Sequence, residues 1–224
     1  MALRIVTFNI QHGRGADGVV DHARLGRAVA ELDADVLALQ EVDVRLRRSG
    51  RANEAAVAAD ATGLSVVFGA ARRVGWCGKY GNALLVRGGL TGIRVLRMPR
   101  PVTGERRGAV LARARVGDAE VSVAATHLAV EGDEARRQLE IVVDALGRRP
   151  LPHLLLGDFN LGPEHVAPVV EAAGMTLVGG PPTYPADGPR IRIDHVAVAG
   201  FEPVSVFVPE SDVSDHRPLV VEVR

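Results

Sequence analysis

Strand and helix signals alternate along this chain with no internal linker, and several strand signals follow one another directly. Together these predict an α/β (α+β) domain with many antiparallel pairings. The 224 residues, 47% of them apolar, suffice for a substantial core and fit one domain spanning residues 1–224.

The first strand runs through Leu3–Val6 into Thr7-Phe8-Asn9. Asp21 is placed to cap a helix whose Leu25, Ala28, Val29 and Leu32 share one face. Asp33-Ala34-Asp35 turns the chain into Val36–Leu39, a near-continuous apolar run of the kind that is buried on both faces. A second helix spans Asn53 to Ala61, with Gly63 available to end it. Strands follow at Ser65–Phe68, Ala83–Val86, Ile93–Met98, Ala109–Val116 and Glu120–Thr126. Asp133–Leu146 reads as a helix with Leu139, Val142, Val143 and Leu146 inward and Arg136, Arg137 and Glu140 outward. Leu154–Leu156 is a short buried strand and Pro163–Ala173 a short helix; Ile193–Val198, Ser205–Val208 and Leu219–Val223 are the last strands. The Pro/Gly-rich stretch Gly179–Pro189 is read as a surface loop near the mouth of the site.

Formal net charge is zero, so no global basic field draws in a long polyanion. Lys79 is the only lysine among 27 basic residues, a bias that base composition explains before phosphate binding does. Cys77 is the single cysteine, which excludes an intrachain disulfide. The N-terminal stretch lacks a signal-peptide apolar region and any spanning segment, so a cytoplasmic location is expected.

Five short phrases place polar groups at the ends of apolar runs: Thr7-Phe8-Asn9, Gln40-Glu41, Gly157-Asp158-Phe159-Asn160, Ile193-Asp194-His195 and Ser214-Asp215-His216-Arg217-Pro218. Their acids, amides and imidazole are the donor set for a hard divalent cation and for activating a water against phosphorus. Strand alternation points Asp158 and Asn160 one way and Phe159 the other way, into the core. It likewise separates Asp194 from His195, which reads as a structural histidine.

At these phrases the chain resembles the endonuclease/exonuclease/phosphatase superfamily, the fold of DNase I, exonuclease III-type repair nucleases, neutral sphingomyelinases and inositol polyphosphate 5-phosphatases. The resemblance spans Asn9 to His216 with the motifs in the family's order, and it is closest to small bacterial metal-dependent hydrolases. It implies a four-layer α/β sandwich, two packed mixed β-sheets flanked by helices, with the site at one end. It implies Mg2+ or Mn2+ as cofactor, with Glu41 the principal metal ligand beside Asn9, and Asp215 a further oxygen. It implies that Asp158 is the base or water-orienting carboxylate, that Asn160 donates to it or to phosphate, and that Asp194 pairs with His216. His127, after Val121–Thr126, stands where sphingomyelinase-like and small-hydrolase branches place a phosphate-donating histidine, and where repair nucleases carry a tyrosine/asparagine phrase. Asn82, in Tyr80-Gly81-Asn82-Ala83, falls where the family's loop reaches toward substrate, though an ordinary turn serves equally well. Arg107 is a second candidate for substrate phosphate, weighed against a solvated arginine.

The leading expectation is a divalent-metal-dependent phosphoester hydrolase, a phosphodiesterase first, working by in-line attack of an activated water. The alternative within the superfamily is a DNA or RNA nuclease. For it the basic stretch is Arg45-Leu46-Arg47-Arg48-Ser49-Gly50-Arg51, four arginines in seven residues, read more readily as a solvated turn. A non-catalytic binding module that kept the fold would have lost one of Glu41, Asp158 or His216. All three are present.

Overall fold

The structure, a computed structural model, describes residues 2–99 and 104–224. In chain order the elements are β1 (Leu3–Asn9), α1 (His22–Glu31), β2 (Val36–Val44), α2 (Glu54–Thr62), β3 (Ser65–Val74), β4 (Gly78–Val86), β5 (Gly88–Arg97), β6 (Gly108–Val116), β7 (Ala119–His127), α3 (Gly132–Gly147), β8 (His153–Asp158), α4 (Pro163–Ala172), β9 (Thr176–Leu177), β10 (Asp194–Ala199), β11 (Pro203–Phe207) and β12 (Leu219–Val223). Asp21 caps α1 by accepting from the backbone N–H groups of Ala23 and Arg24 at 2.9 Å. Gly63 ends α2 at φ 70°, a conformation that glycine adopts without strain.

Two six-stranded sheets form, ordered β11-β12-β1-β2-β4-β3 and β5-β6-β7-β8-β10-β9. Each contains one parallel pair, β1 with β2 and β7 with β8, and all other pairings are antiparallel. Strand alternation divides the core into three layers. Ile5, Val36, Ala38 and Leu84 of the first sheet meet Val110, Val123, Leu156 and Val196 of the second. The opposite faces bury Phe8, Leu37 and Leu39 under Leu25 and Val29 of α1, and Ala124 and Leu155 under Leu139 and Val142 of α3. This is the four-layer sandwich. Each fully buried leucine or phenylalanine contributes on the order of 2 kcal/mol by leaving water. Among the described residues no helix is long and apolar enough to cross a membrane.

Four boundaries depart from the sequence reading. β3 and β4 run on into a hairpin that closes at Gly75-Trp76-Cys77; its arms are interrupted by arginine, lysine and glycine, so no apolar run announced them. Asn82 therefore lies inside β4 and not on a loop. β5 begins at Gly88, earlier than Ile93, because its largely exposed first half, rich in glycine, shows no apolar run. β2 continues past Leu39 to Val44, so Glu41 sits within the strand at a register shift and not at its exit. The two-residue β9 had no pattern long enough to read.

Candidate active site

Parallel pairing brings the carboxyl ends of β1 and β2 to one edge of the first sheet, and those of β7 and β8 to the same edge of the second. Asn9 pairs with Gln40, His127 with Asp158, and the antiparallel β10 begins where β8 ends, setting Asp194 opposite Asp158. The parity that sends Ile5, Val123, Leu156 and Val196 between the sheets sends Asn9, His127, Asp158 and Asp194 there too, two or four residues along. Gly157 allows the close β7–β8 approach, because a Cβ there would overlap the carbonyl oxygen of Thr126.

Parity alone would turn Glu41 away. Gln40 takes the inward position and accepts at 3.2 Å from the Thr7 hydroxyl. A β-bulge between Leu39 and Val42, with Glu41 at φ 58°, breaks the alternation and returns its carboxylate to the site. There Glu41 Oε1 accepts from Asn9 Nδ2 at 3.3 Å, and Asp158 Oδ2 accepts from the same nitrogen at 2.9 Å. Asn9 thus bridges two carboxylates as a donor, while its Oδ1 accepts from the Gln11 backbone at 3.1 Å. The orientation expected of a metal ligand, with oxygen toward the acids, is not the one seen.

Asp158 is 1% exposed, and its Oδ1 accepts from the Asn160 backbone at 3.0 Å, a turn that carries Asn160 to φ 52°. Asn160 Nδ2 donates to the Leu128 carbonyl at 3.1 Å and lies 3.2 Å from His127 Nε2. Phe159 points outward into the layer under α3 and α4, as alternation predicts.

His216 Nδ1 lies 2.9 Å from Asp194 Oδ2, and its Nε2 lies 3.8 Å from Asp158 Oδ2. Burial opposes a charge on His216, but the charge of Asp194 and its hydrogen bond, with help from Asp158 and Asp215, push the imidazole up to about 10. It is therefore a cation. Burial, then repulsion from Asp194, push the Asp158 carboxyl up against the pull of His216 and Asn9. His127 behaves oppositely. Burial first, then Arg107 and His216, hold its imidazole far down, and it stays neutral. Arg107 Nη1 lies 3.3 Å from His127 Nδ1, and since a guanidinium only donates, Nδ1 must accept. The proton is left on Nε2, which faces Asp158 Oδ2 at 3.4 Å; the nearby Asn160 Nδ2 is itself a donor, to the Leu128 carbonyl, and is no partner for that proton.

Arg107 is 7% exposed and also donates to the Tyr80 hydroxyl at 3.3 Å, so the solvated-arginine reading is overturned. Asn82 Nδ2 donates to the Gly108 carbonyl at 2.8 Å across the gap between the sheets. That bond commits its amide nitrogen to the scaffold beside Arg107 and not to a substrate-reaching loop. His195, fully buried, lies 2.7 Å from the Leu161 carbonyl and packs at a tilt against Phe159 on the far side of β10, apart from the site.

Sequence reasoning missed Thr183, whose hydroxyl donates to Asp194 Oδ2 at 2.5 Å, and Tyr184, whose ring lies 4.9 Å from that of His216. Both belong to the Gly179–Pro189 loop, whose place between two site motifs was the only available signal. Gln11, which donates to Asp215 Oδ2 at 2.9 Å, had no pattern at all.

The donor set fits a divalent cation. Glu41 and Asp215 make no ion pair among the described residues, and burial holds the Glu41 carboxyl up even with Asn9 and Arg107 lowering it. Asp158, Asp194 and His216 also offer ligand atoms within 4.8 Å of one another. A protonated His216 bound to Asp194 cannot ligate, however, so the Glu41 side is the better seat.

The model of the Endonuclease/Exonuclease/phosphatase family matches residues 6–216. Over 93 residues the chain is 32% identical to the UPF0294 protein of Vibrio vulnificus strain YJ016, a match covering 39% of this chain and 33% of that protein. The matched stretch thus spans about a third of that curated relative's length. The fold is similar to that of an endonuclease/exonuclease/phosphatase from Beutenbergia cavernae, with TM-score 0.79 and 24% identity, covering 100% of this chain and 71% of that one. It is also similar to the mannosyl-6-phosphatase Bt3783 of Bacteroides thetaiotaomicron, with TM-score 0.77 and 17% identity over 99% of each chain. Humanized D. rerio TDP2 matches with TM-score 0.77 and 18% identity, covering 100% of this chain and 99% of that one.

Proposed function

The chain belongs to the endonuclease/exonuclease/phosphatase family, whose members hydrolyse phosphoesters with divalent metals, and on that premise we propose that it is a phosphodiesterase. The observation that carries the reading is His216, a buried imidazolium held by Asp194 and facing the Asp158 carboxylate. Asp158 orients the attacking water and takes its proton, helped by a carboxyl that burial makes more basic than usual. His216, the Nε2–H of His127 and the Asn160 amide donate to the equatorial oxygens as charge develops on them. Asp194 and Thr183 fix the His216 ring, and Arg107 fixes the His127 tautomer.

Glu41 would hold Mg2+ or Mn2+, with Asp215 and, after rotation of its amide, Asn9 as further oxygens. Such an ion supplies Lewis-acid polarisation of a phosphoryl oxygen and stabilises the leaving oxyanion. Attack is in line, without a covalent enzyme intermediate. The test is hydrolysis of bis-p-nitrophenyl phosphate, p-nitrophenyl phosphate, sphingomyelin and plasmid DNA with each metal. Turnover of the diester above the monoester is expected; turnover of the monoester alone would replace phosphodiesterase by phosphatase.

A further inference from the structure

A groove of about 570 Å3 lies between the loop that follows β2 and the tip of the β3–β4 hairpin. Arg45, Arg47, Arg48, Arg51 and Arg72 line it with Trp76, which is fully exposed. The loop is built and not slack. Leu46 and Ser49 are buried beneath it, and Arg51 and Arg45 donate backbone bonds to Leu46 and Ala52 at 2.7 Å. Arg45 and Arg51 both stand at positive φ, 59° and 63°, a conformation that a merely solvated turn would more readily give to glycine. Gly78 locks the loop to the hairpin, because a Cβ there would strike Leu46. Arg48 and Arg72 are partly neutralised by Asp43 and Glu105, whereas Arg45, Arg47 and Arg51 make no ion pair among the described residues.

The groove is also connected inward. Arg48 and Arg72 lie over the Tyr80 ring at 5.4 and 5.5 Å, and the Tyr80 hydroxyl accepts from Arg107, which holds His127. A chain of side-chain contacts through the buried Tyr80 and Arg107 therefore joins the wall of the groove to His127.

We propose that this groove binds a single-stranded oligonucleotide, with phosphates on the guanidiniums of Arg45, Arg47 and Arg51 and a base stacked on Trp76. That the oligonucleotide is also a substrate rests on the phosphodiesterase reading; the binding does not. Arginine suits both parts of such a ligand, pairing bidentately with phosphate and stacking on bases, and one exposed aromatic beside a basic groove is the arrangement that grips a single strand. A bilayer is planar and would meet the protruding Trp76 without filling the groove.

Trp76 is the only tryptophan, so its fluorescence reports on this groove alone. The intact chain is titrated with a twelve-nucleotide thymidine oligomer in EDTA, where binding is read without hydrolysis. Saturable quenching is expected, with log affinity falling linearly with log salt. The triple variant Arg45→Ala/Arg47→Ala/Arg51→Ala should bind on the order of tenfold or more weakly and lose about two from the salt slope, given roughly 0.7 per phosphate on a single strand. Trp76→Ala, followed by anisotropy of a labelled oligomer, should cost on the order of tenfold. Absence of quenching, or wild-type affinity in the triple variant, overturns the proposal. So does a Trp76 blue shift with phosphatidylserine vesicles but none with the oligomer, which would assign the tip to a membrane. Binding without any diester hydrolysis would sink the phosphodiesterase reading and leave the groove standing.

Discussion

His216 Nδ1 lies 2.9 Å from Asp194 Oδ2, with both side chains buried in the layer between the sheets. The carboxylate also takes the Thr183 hydroxyl on that same oxygen, so the ring is fixed and its charge compensated. On the proposed mechanism Asp194 acts through the imidazole. His216→Ala should lose at least roughly two orders of magnitude in turnover. The double variant Asp194→Ala/His216→Ala should be only slightly worse than His216→Ala. Steady-state turnover of the three variants, with circular dichroism to confirm folding, checks this. Strictly multiplicative losses would show two independent residues.

Asp158→Asn keeps shape and most hydrogen bonds while removing the proposed base. Turnover should fall by at least about a hundredfold with the fold intact. A near-wild-type rate would mean that another group activates the water.

Removal of metal by EDTA should abolish hydrolysis, and magnesium or manganese should restore it, because Glu41 and its neighbours offer oxygens to a hard cation. Full activity in a rigorously metal-free sample is the contrary result.

His195 contributes to stability and not to chemistry. Burial pushes its imidazole down to about 4 from an ordinary 6.5, so the unfolded chain binds a proton that the folded chain refuses. Its contribution is present above pH 6.5 and is lost as pH falls toward 4, about 3 kcal/mol in all. Urea midpoints of His195→Gln should decline less than wild type over that window, with turnover at pH 7.5 nearly unchanged. Equal declines would place the acid sensitivity elsewhere.

Glu54, fully buried at the start of α2, accepts from the Asp43 backbone at 2.7 Å, just beyond the bulge that aims Glu41. Burial pushes its carboxyl up to about 8, against the lowering hydrogen bond from the Asp43 backbone. Here the folded chain holds the proton longer, so stability is fully present below about pH 4.5 and falls as pH rises to 8. Glu54→Gln retains an acceptor for Asp43. It should match wild type near pH 5 and exceed it at pH 8.5 by on the order of a few kcal/mol, as read from denaturant midpoints. A variant less stable than wild type at pH 8.5 would show that the carboxylate is ionised and paired in the fold.

The sequence by itself determined the α/β class with its antiparallel strands and most of the candidate site residues, while the layered sandwich was implied by resemblance. Period-two alternation is a local property of the backbone, so one strand's pattern already sends Asp158 and Asp194 to the inner face and Phe159 and His195 to the outer. The chemistry-bearing phrases were legible because each ends an apolar run. Tertiary structure decided what alternation cannot. Glu41 faces the site only because a bulge against β4 reverses its parity, and a bulge is a relation between two strands, invisible in one. Arg107 is buried only because Tyr80 and His127 arrive from other strands to accept its protons, whereas on the chain it is one arginine among many. Arg45–Arg51 and Trp76 stand apart in sequence, and the loop and hairpin tip make one groove only where Leu46 packs over Gly78. Local backbone geometry is written in the chain; the partner that satisfies a buried charge comes from elsewhere in the fold, and only the packing chooses it.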